Sequence, residues 1–169
     1  STCVISARRH KPLARLAIVN MEQFNIDKFE SCILAKEQLM YVVSKKHPMA
    51  KKKCMTIEDF RDENLLMFNV DSVQNELLKN RFDQLKLNPR IIMRSSQLYT
   101  ALKFIDNGSC GCFLFSDMLP HFKQYKGIPL EPPIDVNIGI VWKKGNFLSH
   151  SAQLFIDFAM QYCSENITT

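Results

Sequence analysis

Two cysteines one residue apart, Cys110 and Cys112, begin an apolar run that continues through Phe113-Leu114-Phe115. Thiols at that spacing invite redox or metal chemistry. Alternation along a strand puts both on one face, within reach of each other but in poor geometry for a disulfide, so the default reading is two buried structural thiols. The four histidines, His10, His47, His121 and His150, lie apart in the chain, with no His-x-x-x-His or Cys-x-x-Cys spacing that would gather zinc. There is no G-x-x-x-x-G-K-[ST] phosphate loop, no G-x-G-x-x-G and no G-x-S-x-G nucleophile elbow. The sequence nominates no catalytic residue, no metal ligand and no cofactor.

The elements around those cysteines say more than the thiols do. Ile91-Ile92-Met93 is a short apolar run, Leu98, Leu102 and Ile105 recur at helical spacing, and Asn107-Gly108 stops the helix where a left-handed residue is needed. Cys110 to Phe115 follows as a second strand. A compact β-α-β unit implies a parallel sheet, and the carboxyl ends of parallel strands are natural binding crevices.

With 169 residues, 46% hydrophobic and 23% charged, the composition is that of a globular protein of one domain or two small ones. The net charge is a mild +5, part of it gathered at Lys45-Lys46 and Lys51-Lys52-Lys53, a solvated segment able to touch phosphate or an acidic surface. No apolar run reaches the roughly 18 residues that span a bilayer. Arg8, Arg9 and His10 interrupt the N-terminal residues too early for a signal peptide, so a cytoplasmic location with six reduced cysteines is expected. The sequon Asn166-Ile167-Thr168 reads as chance in that setting.

Along the chain, Thr2 to Ile5, Leu16 to Asn20, Cys32 to Leu34, Gln38 to Ser44, Leu65 to Phe68, Ile128 to Leu130 and Val136 to Trp142 read as strands. Thr56 to Phe60 reads as a short helix with Thr56 at its N-cap and Asp59 at the capping-box position. A helix from Val73 carries Leu77, Leu78, Phe82 and Leu85 as one stripe and ends at Asn88-Pro89. Ser116-Asp117 caps a short helix toward Phe122, and Glu131-Pro132-Pro133 reads as a linker. The last helix places Ala152, Phe155, Ile156, Ala159 and Cys163 on one face. The pattern is α/β throughout, with a middle block expected to form its own sheet and flanking pieces that join each other.

In this order and spacing, Leu16-Ala17-Ile18-Val19, the strand Gln38 to Ser44 followed by His47-Pro48-Met49-Ala50, Met55 to Phe60, Leu65 to Phe68 and Arg90 to Gly108 resemble the effector-binding domain of LysR-type transcriptional regulators. The resemblance runs from Leu16 to about Cys163. It implies two Rossmann-like subdomains of the type II periplasmic-binding-protein-like fold with a ligand cleft between them. On that template residues 1–35 and 131–169 make an incomplete subdomain I and residues 36–130 make subdomain II. Subdomain I looks short by about one β-α-β-α stretch. Arg15, where the family usually has an acidic residue, and Cys110-Gly111, where it usually has glycine then an apolar residue, depart from the pattern.

The resemblance further implies a sensor that does no chemistry. It binds a small effector, a carboxylate being chemically reasonable at helix N-termini, and couples occupancy to the arrangement of a homodimer or homotetramer. Promoter DNA is then contacted only through a winged helix-turn-helix that these residues do not include. Carried over by position, the effector-binding residues are Asn20, Asn69, Ser72, Gln74, Ser95, Ser96 and Gln97. Ser72 and Ser96 are equally readable as plain helix caps, and the helix from Val73 to Leu85 would lie at the dimer contact. The alternatives are a solute-binding protein of the same fold and an enzyme built on it.

Overall fold

The computed structural model describes residues 16–21, 26–70, 72–145 and 148–166. The expected strand Thr2 to Ile5, together with Arg15, lies outside them. The chain divides into two compact units, residues 1–37 with 136–169 and residues 38–135. The strands are β1 (Ala17–Asn20), β2 (Phe29–Ser44), β3 (Asn64–Phe68), β4 (Arg90–Ser95), β5 (Gly111–Phe115), β6 (Tyr125–Pro129) and β7 (Asp135–Lys143). The α-helices are α1 (Val73–Gln84), α2 (Leu98–Ile105) and α3 (His150–Asn166).

The two strands expected at Cys32 to Leu34 and Gln38 to Ser44 are one strand of 16 residues. Lys36 and Glu37 break the hydrophobic pattern there without breaking the backbone's extended course. Charge at those positions changes what a face meets, while β2 still has ladder partners to satisfy its amides. β2 belongs to both units, which it joins covalently at Glu37-Gln38.

In the larger unit, β3 pairs parallel with β4 and with β5, whereas β5 and β6 each run antiparallel to β2. The sheet is therefore mixed, not parallel as expected from the β4-α2-β5 unit. That unit does cross over: its two strands are separated by β3 and run parallel to it. β6 covers Tyr125–Pro129, somewhat earlier than the Ile128 to Leu130 expected.

Alternation then builds two cores from one set of strands. Leu39, Tyr41 and Val43 of β2, Leu65 and Met67 of β3 and Phe113 of β5 point to one face, where they meet Leu78 and Phe82 of α1 and the buried Phe60. Val42, Leu66, Cys112 and Leu114 point to the other, against Ala101, Leu102 and Ile105 of α2. Both faces are covered, which parallel pairing requires. Of the Leu77, Leu78, Phe82 and Leu85 stripe, Leu78 and Phe82 are buried, Leu77 packs against the first core, and Leu85 remains 48% exposed. Tyr41 sits edge-on to Phe60 at 4.9 Å and tilted to Phe113 at 5.3 Å. Its ring also covers Gly111, where a Cβ would collide with it. Gly108, with φ 76°, closes α2 in the left-handed conformation expected of it.

Asp59 accepts from the Thr56 amide at 2.9 Å and pairs with Lys52 Nζ at 2.7 Å, so the Thr56 to Phe60 segment is a capped turn of 3₁₀ helix (Ile57–Phe60). Ser116 and Asp117 do not cap the short helix after β5; they lie inside it, Ser116–His121, and Ser116 Oγ accepts from the Gln38 amide at 3.1 Å. Glu131-Pro132-Pro133 is not a free linker. The Glu131 amide donates to Met55 O at 2.8 Å, and the adjoining Ile134 is buried and accepts from the Leu39 amide at 2.9 Å.

In the smaller unit, β1 runs antiparallel to β7, with Ala17 opposite Val141 and Asn20 opposite Ile138, and β7 neighbours β2. Trp142 Nε1 donates to Glu30 at 2.7 Å. On α3 only part of the expected face is covered: Ile156 is buried and Ala152 and Ala159 are half-buried, but Phe155 is 45% exposed. The Cys163 side chain lies outside the described residues.

Where β2 ends, His47 is buried beside Glu63 and Tyr41. Its Nδ1 accepts from the Met49 amide at 3.2 Å, and its Nε2 lies 3.5 Å from Glu63 Oε2, to which Tyr41 donates at 3.4 Å. An imidazole whose Nδ1 accepts a backbone hydrogen bond is neutral. Burial lowers the His47 pKa, and this outweighs the opposing pull of Glu63. Below the ordinary histidine value of about 6.5 the unfolded chain takes a proton that the folded chain resists, so stability must fall as pH falls. The urea midpoint is expected to drop between about pH 7.5 and about pH 5, above the range in which carboxylates titrate. In His47→Gln the drop should be smaller; an unchanged pH slope in that variant would show that His47 is not its source.

Candidate functional site

Parallel pairing puts the carboxyl ends of β3 and β4 level, with Phe68 in register with Ser95. Residues 69, 70 and 72 after β3 and residues 96 and 97 after β4 each lead into a helix, and because each helix runs back against the strand before it, α1 on one face and α2 on the other, both present their amino ends to the same edge of the sheet. β5 ends at that edge too, where Ser116 meets Gln38, and Gln38 Nε2 donates to Asp135 at 3.1 Å. Asn69, Ser72, Gln74, Ser95, Ser96 and Gln97 are thus assembled on one edge of the larger unit. Asn20 is not among them: it is half-buried at the end of β1 in the smaller unit.

Their local roles differ. Ser72 is the N-cap of α1, its Oγ accepting from the Asn75 amide at 3.2 Å, and its own amide donates to Asn69 O at 2.9 Å. Gln74 is half-buried in the first turn, and the Asn69 side chain is exposed. The second loop is arranged otherwise than expected: Gln97, not Ser96, stands at the N-cap position of α2. The buried Ser95 folds the loop, its Oγ accepting from the Gln97 amide at 3.1 Å and donating to Gln97 O at 3.2 Å. Ser96 is exposed, and Gln97 Oε1 accepts from Thr100 at 3.0 Å.

Two residues at the edge had no place in the sequence reading. Arg94 Nη1 donates to Asn75 Oδ1 at 2.9 Å and to Phe68 O at 3.2 Å, tying β4 to the first turn of α1. Asn75 is buried, and its Nδ2 donates to Val70 O at 3.2 Å, which fixes the loop between β3 and α1. Arg94 forms no ion pair among the described residues, so its charge adds to the positive ends of both helices. The available signal was a lone arginine at the end of an apolar run, immediately before Ser95; Asn75 offered none, because an asparagine inside a helix reads as surface. An edge with a guanidinium and two helix amino ends suits an anion.

The thiols of Cys110 and Cys112 lie in the second core. Burial pushes Cys112 up to about 12, so it stays protonated and inert. Among the described residues no group of three or more His, Cys, Asp or Glu is placed to hold a metal ion, and no helix is long and apolar enough to cross a membrane.

The family model of the LysR substrate binding domain matches residues 12–164. The chain belongs to this family. It is similar to the transcriptional dual regulator GltC of Bacillus subtilis, 26% identical over 96% of this chain and 55% of GltC, and to the HTH-type transcriptional regulator YwbI of the same organism, 27% identical over 82% of this chain and 47% of YwbI. It spans about half the length of these curated relatives. Among solved structures it resembles the regulatory domain of CcmR from Synechocystis PCC6803 in complex with 2-PG, with a TM-score of 0.78 and 18% identity over 90% of this chain and 74% of that one. The effector binding domain of QuiR in complex with shikimate matches with a TM-score of 0.72 and 23% identity over 90% of this chain and 73% of that one. The fold of this LysR-type effector-binding domain is the type II periplasmic-binding-protein-like fold.

The two serines expected as caps separate by experiment. Ser72→Ala should lose about 1 kcal/mol, the cost of an N-cap, whereas Ser96→Ala should stay within about 0.5 kcal/mol of the parent. Urea denaturation of both variants checks this, and equal losses would contradict the capping described here.

Proposed function

We propose that this domain senses a small carboxylate metabolite, bound at the carboxyl edge of β3, β4 and β5. The observation that carries the reading is the convergence of Arg94 with the amino ends of α1 and α2, produced by the level register of Phe68 and Ser95. In this reading the carboxylate takes hydrogen bonds from Arg94 and from the loop at Ser95, Ser96 and Gln97. Asn69, Ser72 and Gln74 line the other side. The ligands in the CcmR and QuiR structures support small-molecule binding as the role of such a domain. The domain performs no catalysis; occupancy acts on the oligomer and, through an attached winged helix-turn-helix, on promoter DNA in the cytoplasm.

A panel of small mono- and dicarboxylates should contain at least one compound that raises the melting temperature. At 100-fold excess over Kd the stabilisation is about 2.7 kcal/mol. Arg94→Gln removes the guanidinium charge and should weaken that compound at least about ten-fold, the loss of one charge-assisted hydrogen bond. A panel without a binder, or a variant that binds as the parent does, would overturn the assignment.

We also propose that the domain forms a homodimer, or a homotetramer built from dimers, with α1 at the contact. The apolar side of α1 is spent on its own core, and the residues it leaves outward, Glu76, Lys79, Asn80 and Asp83, are polar. A contact made by such a face is salt-sensitive. Sedimentation should show a dimer that weakens as salt rises, and a strict monomer at high concentration and low salt would refute the contact.

A further inference from the structure

At the other end of α1 from the carboxylate edge, about 18 Å away by the length of a 12-residue helix, the larger unit opens a cavity of about 310 Å³. Its lining comes from three segments: Thr56, Ile57 and Glu58 at the start of the capped turn; Arg81, Gln84 and Leu85 at the end of α1; and Glu131 with Pro132. Ile57, Leu85 and Pro132 give it apolar walls. Such a volume accommodates a small organic molecule.

The charges around it select the kind of molecule. The lining holds two carboxylates, Glu58 and Glu131, and one guanidinium, that of Arg81, whose Nη2 is engaged with Pro133 O at 3.4 Å. Asp59 is turned away, held by Lys52 and the Thr56 amide. The carboxyl end of α1 adds partial negative charge beside Gln84 and Leu85. Glu131 is positioned by the neighbouring Cys54, whose thiol donates to Oε2 at 3.1 Å, and that hydrogen bond is the largest influence holding the thiol protonated. With two carboxylates to one guanidinium the lining carries net negative charge, which favours a cation over an anion or a neutral molecule.

We propose that this cavity binds a small organic ammonium ion with an apolar body, its charged nitrogen between Glu58 and Glu131 and its body against Ile57, Leu85 and Pro132. The site is separate from the carboxylate edge and opposite to it in charge preference, so the domain carries two ligand sites at the two ends of one helix.

Calorimetric titration of the whole chain with 2-phenylethylammonium, 2-phenylethanol and 3-phenylpropionate tests the proposal. Saturable binding of the ammonium is expected, at least about ten-fold tighter than either isosteric partner, the worth of one charge-assisted contact. The double variant Glu58→Gln, Glu131→Gln, whose side chains are exposed and whose fold is checked by circular dichroism, should lose that preference. Arg94→Gln, at the far end of α1, should retain it. Absence of saturable ammonium binding, equal or tighter binding of the alcohol or the carboxylate, or an unchanged preference in the double variant would each overturn the proposal.

Discussion

The parallel pairing of β3 with β4 and β5 is the constraint from which the larger unit follows. Parallel strands cannot be joined by a tight turn, so each must be followed by a crossover, and here the crossovers are α1 and α2 on opposite faces. Because each helix runs back against the strand that precedes it, both begin at the same edge. The positive potential by which that edge is proposed to hold a carboxylate is thus a by-product of topology, since helix amino ends bring unsatisfied amides and positive potential wherever they gather.

The same topology needs both faces of the sheet to be apolar, and the larger unit meets this with strict alternation along β2, β3 and β5. The cysteines are explained by it. Cys112 falls in register opposite Val42 and serves as a small core residue, and Cys110 joins the same cluster. β2 is the exception to parallel order. It runs antiparallel to β5 and to β6 and contributes its ladder hydrogen bonds to both as part of one uninterrupted strand.

Much of the proposed site was legible and its key was not. The Asn69 to Ser72 and Ser95 to Gln97 loops stand out in the sequence because polar, helix-starting residues follow apolar runs. Arg94 and Asn75, which tie those loops together, do not: their contact joins residues 19 apart and exists only once β4 lies beside β3. The shift of the α2 N-cap from Ser96 to Gln97 has a similar cause. Ser95 is drawn into the core side of the edge, where its hydroxyl bonds Gln97 and moves the start of the helix on by one residue.

Local periodicity by itself determined the element types, the α/β class and the Asn107-Gly108 helix stop, because each rests on residues within a few positions of one another, while the family resemblance came from the order and spacing of such segments along the chain. Tertiary structure alone decided the mixed strand directions, the continuity of β2 through Lys36 and Glu37, the holding of Glu131 against Met55, and the pairing of Arg94 with Asn75. Those depend on which strand finds which partner. That choice is made by burying two faces at once, a condition on the whole sheet that no single segment of sequence contains.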